Sequence, residues 1–345
     1  MRIDFFKLCS WITSPGLREC VLLAADVAFF PRGFRAIVVG LGSADYDCRA
    51  CDDAVVYILA MLCRNQPIFT VLLAVASGCV VSNQSLQDAM LARLCSEDVQ
   101  VVAHRGASHS HPENTIVAMQ HAVQHGADVV EFDVYQTRDG HWVCMHDATC
   151  DRTTNAREVF GLGKVRIDQL TLSEVQRLDA GKWFAPEFAG ECVPTLQQAL
   201  QAIAPAMPMI ERKAGDAQDL VAELRRLNAV DDVIVQSFDW DWLVEVADAE
   251  PRLLLAALGG DDLTPTRFHE IGRTNARLVH WSYGRVTQTI ADAVHASGYL
   301  LCVYTVDAED AFRDAVAIGC DMITTNRPEH YVAERAAGRF ISLRD

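Results

Sequence analysis

The chain has 345 residues, of which 50% are hydrophobic and 22% charged, with 20 Gly and 11 Pro. This composition excludes the fibrous, collagen-like and disordered classes. The 30 Lys and Arg residues against 46 Asp and Glu residues give a formal net charge of −16 at pH 7, which would repel a nucleic-acid backbone. We therefore expect a folded protein that does not bind nucleic acid.

Residues 1–60 show no sustained helical or alternating period, and we leave them unassigned. Residues 61–79 have the three-part layout of a bacterial signal peptide. Arg64 precedes an uncharged apolar run, and Ala-Ser-Gly-Cys79 resembles a lipobox, in which the cysteine becomes the lipidated first residue of the mature protein. This interpretation predicts a lipoprotein that is periplasmic or attached to a membrane through Cys79.

Two corollaries follow from the signal peptide. Met61 would be the natural start and residues 1–60 a translation artefact, while residues 80–98 would be a linker. The alternative is that residues 68–81 form a buried helix or strand, because periodicity does not separate a short apolar core segment from a signal. In that case the scattered single cysteines would suit the cytoplasm.

From residue 99 onward, β-branched apolar runs alternate with amphipathic stretches, a pattern typical of parallel βα units. The candidate strands are Val99–His104, Val129–Thr137, Met207–Arg212, Val233–Ser237, Leu253–Ala257, Leu278–Trp281, Leu300–Thr305 and Met322–Thr325. The candidate helices are Thr115–His125, Leu196–Ala204, Ala217–Leu227, Trp240–Ala249, Thr287–Ser297 and Ala308–Ile318. This number of strands in about 250 residues favours an α/β fold of the (β/α)8 TIM-barrel type over a doubly wound sheet.

One connection interrupts the alternation. Residues 138–194 are too long for a simple loop, and they contain a further candidate strand, His141–Met145. We therefore predict one barrel domain over residues 99–345 with a small subdomain inserted after the second strand.

Polar residues near the carboxyl ends of the first two strands indicate where chemistry occurs in such a barrel. The first strand ends in His104-Arg105-Gly106. Glu131 and Asp133 lie two positions apart in the second strand and therefore face the same side. Two buried carboxylates are costly without a cation, and carboxylate oxygens suit Ca²⁺ or Mg²⁺.

The third strand supplies a further acid and a cation. Glu211 and Lys213 can share one face, and His146 follows the extra strand. Together these residue types suit metal-assisted cleavage of a phosphodiester, in which the metal withdraws charge from the phosphoryl oxygens, Arg105 and Lys213 bind the anion, and His104 and His146 move protons.

From about residue 101 to 328, the sequence resembles the glycerophosphodiester phosphodiesterase family. The matching segments are His104-Arg-Gly106, Pro112-Glu-Asn-Thr115, Glu131-Phe-Asp-Val134, His146-Asp147, Arg152-Thr-Thr154, Leu178-Asp-Ala-Gly181, Pro194-Thr-Leu196, Glu211-Arg-Lys213, Gln236-Ser-Phe238 and Tyr304-Thr-Val-Asp307.

The resemblance implies a (β/α)8 barrel that hydrolyses a glycerophosphodiester to sn-glycerol 3-phosphate and an alcohol such as choline or ethanolamine. It implies a role for each of the following: His104 and His146 as the acid/base pair, Glu131, Asp133 and Glu211 as ligands of one Ca²⁺ or Mg²⁺, and Arg105, Lys213 and Asn114 beside the phosphate. It does not imply which histidine is the acid, nor the oligomeric state.

Two positions depart from the family pattern, which usually has Trp at Tyr304 and Asp at Asn326. Tyr304 keeps an aromatic wall, and we place Phe238 with it in the substrate pocket. One alternative is a lysophospholipase D or sphingomyelinase-D-like lipid phosphodiesterase, which a hydrophobic loop such as residues 183–188 would favour. Another is a catalytically silent, anion-binding lipoprotein, because fold alone does not establish activity.

Overall fold

The computed structural model describes residues 20–25, 34–41, 54–63, 78–79, 83–95 and 98–339. The chain divides into two units, Met1–Ser82 and Asn83–Asp345. The second unit begins before residue 99 because a helix precedes the first barrel strand.

In the N-terminal unit, the described residues form an antiparallel sheet. Its strands are β1 (Cys20–Ala25), β2 (Phe34–Leu41), β3 (Ala54–Cys63) and β4 (Gly78–Cys79), in that order. The segment that we left unassigned thus contains strands. Residues 64–77, most of the predicted signal peptide, lie outside the described residues. Among those that are described, no helix is long and apolar enough to cross a membrane, and export stays a prediction.

The second unit is built on a closed barrel of eight parallel strands. Its strands are β5 (Gln100–His104), β6 (Val129–Gln136), β8 (Met207–Ala214), β9 (Ile234–Ser237), β10 (Leu254–Gly259), β11 (Leu278–Ser282), β12 (Leu300–Tyr304) and β13 (Met322–Thr325), and β7 (Trp142–Cys144) pairs with the outer part of β6. Pairing of β13 with β5 and of β5 with β6 closes the ring. The predicted (β/α)8 fold is therefore confirmed.

Helices cover the outside of the barrel. They are α2 (Ile116–Gln124), α5 (Leu196–Ile203), α6 (Ala217–Arg226), α7 (Trp240–Ala249), α8 (Pro265–Gly272), α9 (Gln288–Ala296), α10 (Glu309–Ala317) and α11 (Pro328–Ala336). Side-chain caps start several of them, as at Thr115, whose hydroxyl accepts from the Ala118 N–H. Helices α8 and α11 were not among the candidate helices, although each begins with a proline at its first position, which is a helix-start signal.

Helix α1 (Asn83–Leu94) corrects the prediction that residues 80–98 are only a linker. Its Met90, Leu91 and Leu94 pack on the first residues of the barrel strands, including Met207 and Met322. The Gln87 amide also donates to the carbonyl oxygen of Leu253 at 2.9 Å. Apolar packing thus closes the amino-terminal end of the barrel, which leaves the opposite end for chemistry.

The connection between β6 and α5 is the inserted subdomain, as predicted. Besides β7 it contains the short helices α3 (Ala156–Phe160) and α4 (Leu172–Val175), the latter started by a capping box of Thr171 and Glu174. The insertion has a hydrophobic cluster of its own, centred on buried residues such as Ile167 and Leu178. A separate core keeps this segment ordered beside the carboxyl end of β6.

Candidate active site

A cavity of about 200 Å³ lies at the carboxyl ends of the barrel strands. Most of the predicted site residues line it, namely His104, Arg105, Glu131, His146, Glu211, Lys213, Phe238 and Tyr304. Asn114 and Asp133 are buried directly beneath, in contact with each other. The strand ends thus bring together side chains that are far apart in the chain.

The exit from β5 is tightly constrained. Gly106 has φ +80°, and a Cβ there would lie 2.6 Å from the backbone carbon of Ala118 in α2. The preceding Arg105 also has a positive φ, of 56°. Because only glycine tolerates both this conformation and this close approach, Gly106 sets the direction in which Arg105 and the following loop leave the strand.

Glu131, Asp133 and Glu211 form a compact buried cluster whose ligand oxygens all lie within 4.8 Å of one another. Burial and the neighbouring carboxylates raise the pKa of Glu131 well above its usual value and that of Glu211 to about 7. Glu131 Oε1 is buried without a hydrogen-bond partner. An orphaned carboxylate oxygen beside two more acids fits a divalent cation with oxygen ligands.

Asp133 is held by three neighbours. Asn114 donates from Nδ2 to Asp133 Oδ2 at 2.8 Å and accepts from the Asp133 N–H at 3.1 Å. Lys213 Nζ and Arg105 Nε lie 3.1 and 3.3 Å from its carboxylate oxygens. Burial alone would raise the pKa of Asp133, but Lys213 and Arg105 lower it below its usual value. Both polar atoms of the Asn114 amide therefore hydrogen-bond to Asp133, a candidate metal ligand.

The proton state of His104 follows from Asn326 and Asp307. Asn326 donates from Nδ2 to Asp307 Oδ2 at 2.6 Å, so its Oδ1 is the atom that faces His104 Nδ1 at 2.7 Å. An amide oxygen can only accept, which places the proton of neutral His104 on Nδ1 and leaves Nε2 without one. Burial and the charge of Arg105 lower the pKa of His104 to about 4.

His146 has a carboxylate partner instead. Its Nδ1 lies 2.7 Å from Asp147 Oδ1, and Arg152 donates to Asp147 and to Glu113. The Arg152 hydrogen bond is the main cause that lowers the pKa of Asp147 to about 2. Glu113 in turn accepts from Arg105 at 2.9 Å. This chain of ion pairs ties the loop after β5 to the insertion that carries His146.

Phe238 and Tyr304 form an aromatic wall on the other side of the cavity. Their ring centroids are 6.3 Å apart and perpendicular, and Phe238 is 54% exposed. The Tyr304 hydroxyl donates to the carbonyl oxygen of Gly259 at 2.9 Å. Burial is the main cause that raises its pKa to about 12, so the phenol stays protonated and the ring stays in place.

Four further residues line the cavity without a role predicted from the sequence, namely Gln236, His280, Thr305 and Thr324. His280 lies in an apolar run that is typical of a buried strand. Gln236 belongs to Gln236-Ser-Phe238, one of the segments that resemble the family, and this was the sequence signal that could have marked it as a site residue. The hydrogen bonds of Gln236, His280 and Thr324 join strands that are far apart in the chain, and no local sequence pattern indicates such contacts.

Clustered acids, two cations and two imidazoles at the carboxyl end of a (β/α)8 barrel define a hydrolase that acts on a phosphodiester. The family model for the glycerophosphoryl diester phosphodiesterase family matches residues 104–330. A glycerophosphodiester phosphodiesterase from Caldanaerobacter subterraneus subsp. tengcongensis is 34% identical over 66% of this chain and 94% of its own. The chain therefore belongs to the glycerophosphoryl diester phosphodiesterase family.

Solved structures agree on the fold. A glycerophosphodiester phosphodiesterase from Agrobacterium tumefaciens is 30% identical, with a TM-score of 0.59 over 68% of this chain and 99% of that one. An Oleispira antarctica phosphodiesterase, solved with the product sn-glycerol-3-phosphate, is 24% identical, with a TM-score of 0.64 over 70% of this chain and 99% of that one. Both matches cover the barrel and not the whole chain.

Proposed function

We propose that this protein hydrolyses glycerophosphodiesters to sn-glycerol 3-phosphate and an alcohol, with one divalent cation and two histidines. The observation that carries the proposal is the buried cluster of Glu131, Asp133 and Glu211 in one cavity with His104 and His146. The curated relative from Caldanaerobacter carries the name of this activity.

Glu131, Asp133 and Glu211 would hold Ca²⁺ or Mg²⁺, since three carboxylates are a hard-oxygen donor set. When bound, such a cation withdraws charge from the phosphoryl oxygens of the substrate. Arg105 and Lys213 lie against the same carboxylates, at 3.3 and 3.1 Å from Asp133. They would bind the remaining phosphoryl oxygens, while Asn114 keeps Asp133 oriented.

The hydrogen bonds of the two histidines support a division of labour. His104 is neutral with Nε2 unprotonated, which suits a general base. In the first step, His104 Nε2 would take the proton of the glycerol 2-hydroxyl as its oxygen attacks phosphorus. A cyclic phosphate forms, and the bond to the alcohol breaks.

His146 Nδ1 donates to the Asp147 carboxylate, which orients the ring and leaves Nε2 to exchange a proton with the substrate. It would therefore give its proton to the departing alcohol oxygen in the first step. In the second step the roles reverse. Neutral His146 takes a proton from water as the water oxygen attacks phosphorus, and protonated His104 returns its proton to the 2-oxygen as the ring opens.

The cavity that holds the candidate catalytic groups is small, at about 200 Å³. Phe238 and Leu258 line both the 200 Å³ cavity and a larger cleft of about 730 Å³, which gives the alcohol portion room beside the glycerol phosphate. The aromatic loop that would favour a lipid substrate packs on itself, since Phe184 contacts both Trp183 and Phe188 edge to face. The Trp183 indole also donates to the carbonyl oxygen of Ala180. Trp183 is 39% exposed, but residues 183–188 line neither cavity, which favours a glycerophosphodiester over a lysolipid.

The test is release of glycerol 3-phosphate from glycerophosphocholine by the full chain with Ca²⁺, with Mg²⁺ and with EDTA. We expect metal-dependent release that EDTA abolishes and that Glu131→Gln removes. Glu245→Gln, an exposed acid of α7, is the matched control and should keep wild-type activity. No release with either ion from folded protein would reject the proposal and favour a lipid substrate or an anion-binding protein without activity.

A further inference from the structure

Gln236, at the carboxyl end of β9, presents an unused donor to the cavity. Its side chain is 1% exposed, and its Oε1 lies 2.6 Å from His280 Nδ1. Within residues 98–339, Gln236 Nε2 has no hydrogen-bond partner, although the residue lines the cavity. Nε2 is the donor of this buried side chain that is open to the cavity, where a ligand that accepts from it would take the place of water.

The orientation of this amide is set by a buried chain of polar groups beneath it. His280 is 2% exposed, with Nε2 2.9 Å from Thr324 Oγ1, and Thr324 Oγ1 lies 3.5 Å from Cys302 Sγ. Burial and repulsion from His104 lower the pKa of His280 to about 3, so the imidazole carries one proton at neutral pH. With that proton on Nδ1, His280 donates to Gln236 and accepts from Thr324.

The neighbouring strand favours the same orientation. Gln236 and Glu211 are register partners of β9 and β8, and both face the cavity. An amide NH2 directed toward a cavity lined by carboxylates is electrostatically favourable, whereas its carbonyl oxygen there would be repelled. The oxygen of Gln236 therefore lies toward His280 and the nitrogen toward the site.

The other buried polar groups on this side of the cavity are already committed. The Tyr304 hydroxyl donates to Gly259, and both nitrogens of His280 are paired. The cations that attract phosphate, Arg105 and Lys213, come from β5 and β8. A neutral donor beside the wall formed by Leu258 and Tyr304 suits a hydroxyl oxygen rather than a charged phosphoryl oxygen.

We propose that Gln236 Nε2 donates a hydrogen bond to the terminal hydroxyl of the glycerol moiety, and that His280 is a positioning residue that orients this amide. The inference rests on the proposed function, in which the 2-hydroxyl faces His104 and leaves the terminal hydroxyl for the opposite wall. A buried donor that loses its partner disfavours substrates without that hydroxyl. Gln236 is thus the residue that distinguishes glycerol from a deoxy analogue.

The first experiment compares two substrates, glycerophosphocholine and the phosphocholine diester of propane-1,2-diol, which keeps the 2-hydroxyl and lacks the terminal one. We expect wild-type protein to prefer the glycerol substrate in kcat/KM by about tenfold or more. Gln236→Leu should remove that preference and leave kcat/KM on the diol substrate within about twofold of wild type. Gln236→Met is a second variant of similar length, and Gln218→Leu on the exposed face of α6 is the control.

The positioning role of His280 is tested in the same assay. An asparagine amide can donate to Gln236 and accept from Thr324, so His280→Asn should keep most of the preference, whereas His280→Leu should lose it. In the Gln236→Leu background, His280→Leu should cause no further loss on either substrate. Equal losses on both substrates, or no loss in the Gln236 variants, would overturn the inference.

Binding measurements separate this inference from the proposed activity. Calorimetry with sn-glycerol 3-phosphate and with propane-1,2-diol 1-phosphate should show tighter binding of the former by wild type and equal binding by Gln236→Leu. If wild type does not turn over glycerophosphocholine but shows this difference, the proposed function fails and the hydroxyl contact stands. If wild type binds both phosphates equally, or neither, the contact is rejected.

Discussion

His104 Nδ1 lies 2.7 Å from Asn326 Oδ1, so the imidazole that faces the carboxylate cluster is held by an amide and not by a carboxylate. Asn326 is itself oriented by Asp307, which accepts from both its Nδ2 and its backbone N–H. The position is one of the two at which this sequence departs from the family pattern. The amide oxygen fixes the tautomer of His104, and its hydrogen bond raises the pKa of the imidazole less than a charged carboxylate would.

Replacing Asn326 by Asp should therefore change the pH dependence. The pKa of His104 is lowered to about 4, so the base stays neutral at any pH above that value. A carboxylate in contact favours the imidazolium and should raise that pKa by about one unit or more. We expect the acid limb of the kcat/KM profile to move to higher pH in Asn326→Asp. The exposed Asn275→Asp is the control, and an unchanged acid limb would contradict this role of His104.

Removing the imidazole of His146 should abolish turnover and leave the fold intact. His146 is half-buried beside Asp147 at the edge of the cavity and contributes little to the core. We expect His146→Ala to lower kcat by about 10²- to 10⁴-fold. Circular dichroism should be unchanged, and His269→Ala, on the exposed side of α8, should be fully active. Wild-type activity in His146→Ala would refute its proposed role.

Removing a charge from the carboxylate cluster should stabilise the fold when no cation is bound and reduce the stabilisation that a cation provides. Without one, burial and like charge raise the pKa of Glu131 and make the cluster unfavourable. Glu131→Gln removes one of these charges and should raise Tm in EDTA. With Ca²⁺ or Mg²⁺ at a hundred times Kd, wild type should gain about 2.7 kcal/mol and the variant much less. Equal gains would show that the cation binds elsewhere.

Acid sensitivity should arise partly from His280. Its pKa is about 3 in the folded protein against about 6.5 in an unfolded chain, so below pH 6.5 the unfolded state binds a proton that the folded state does not. The contribution of this group to stability is present above pH 6.5 and is lost toward pH 3, by about 1.4 kcal/mol per pH unit. Denaturant melts should show a shallower acid loss in His280→Asn; parallel curves would contradict the assignment.

The predicted lipoprotein start can be tested by intact mass. If residues 61–79 are a signal, protein extracted from bacterial membranes should begin at Cys79 and carry a diacylglyceryl group, and Cys79→Ser should abolish the modification. Membrane protein that retains residues 1–78 would reject both the signal and the assignment of Met61 as the start.

The strands and the acidic pairs could be predicted because they depend on short-range geometry. Glu131 and Asp133 share a face as a consequence of the two-residue period of a strand, and apolar runs with crossover helices restrict the sheet to parallel pairing. Helices α8 and α11 were not predicted. Ile271 is the buried residue of α8, and Pro328 and Tyr331 are those of α11, so few apolar positions mark the inner faces of these helices.

The sequence by itself determined the barrel, the metal-ligand candidates and the two histidines, because each has a local or family pattern. Only the tertiary structure decided that α1 closes the far end of the barrel, that Asn114 orients Asp133, and which partner each histidine has. It also joined Gln236, His280 and Thr324. These contacts depend on closure of the ring, which brings strands far apart in the chain within a few ångströms.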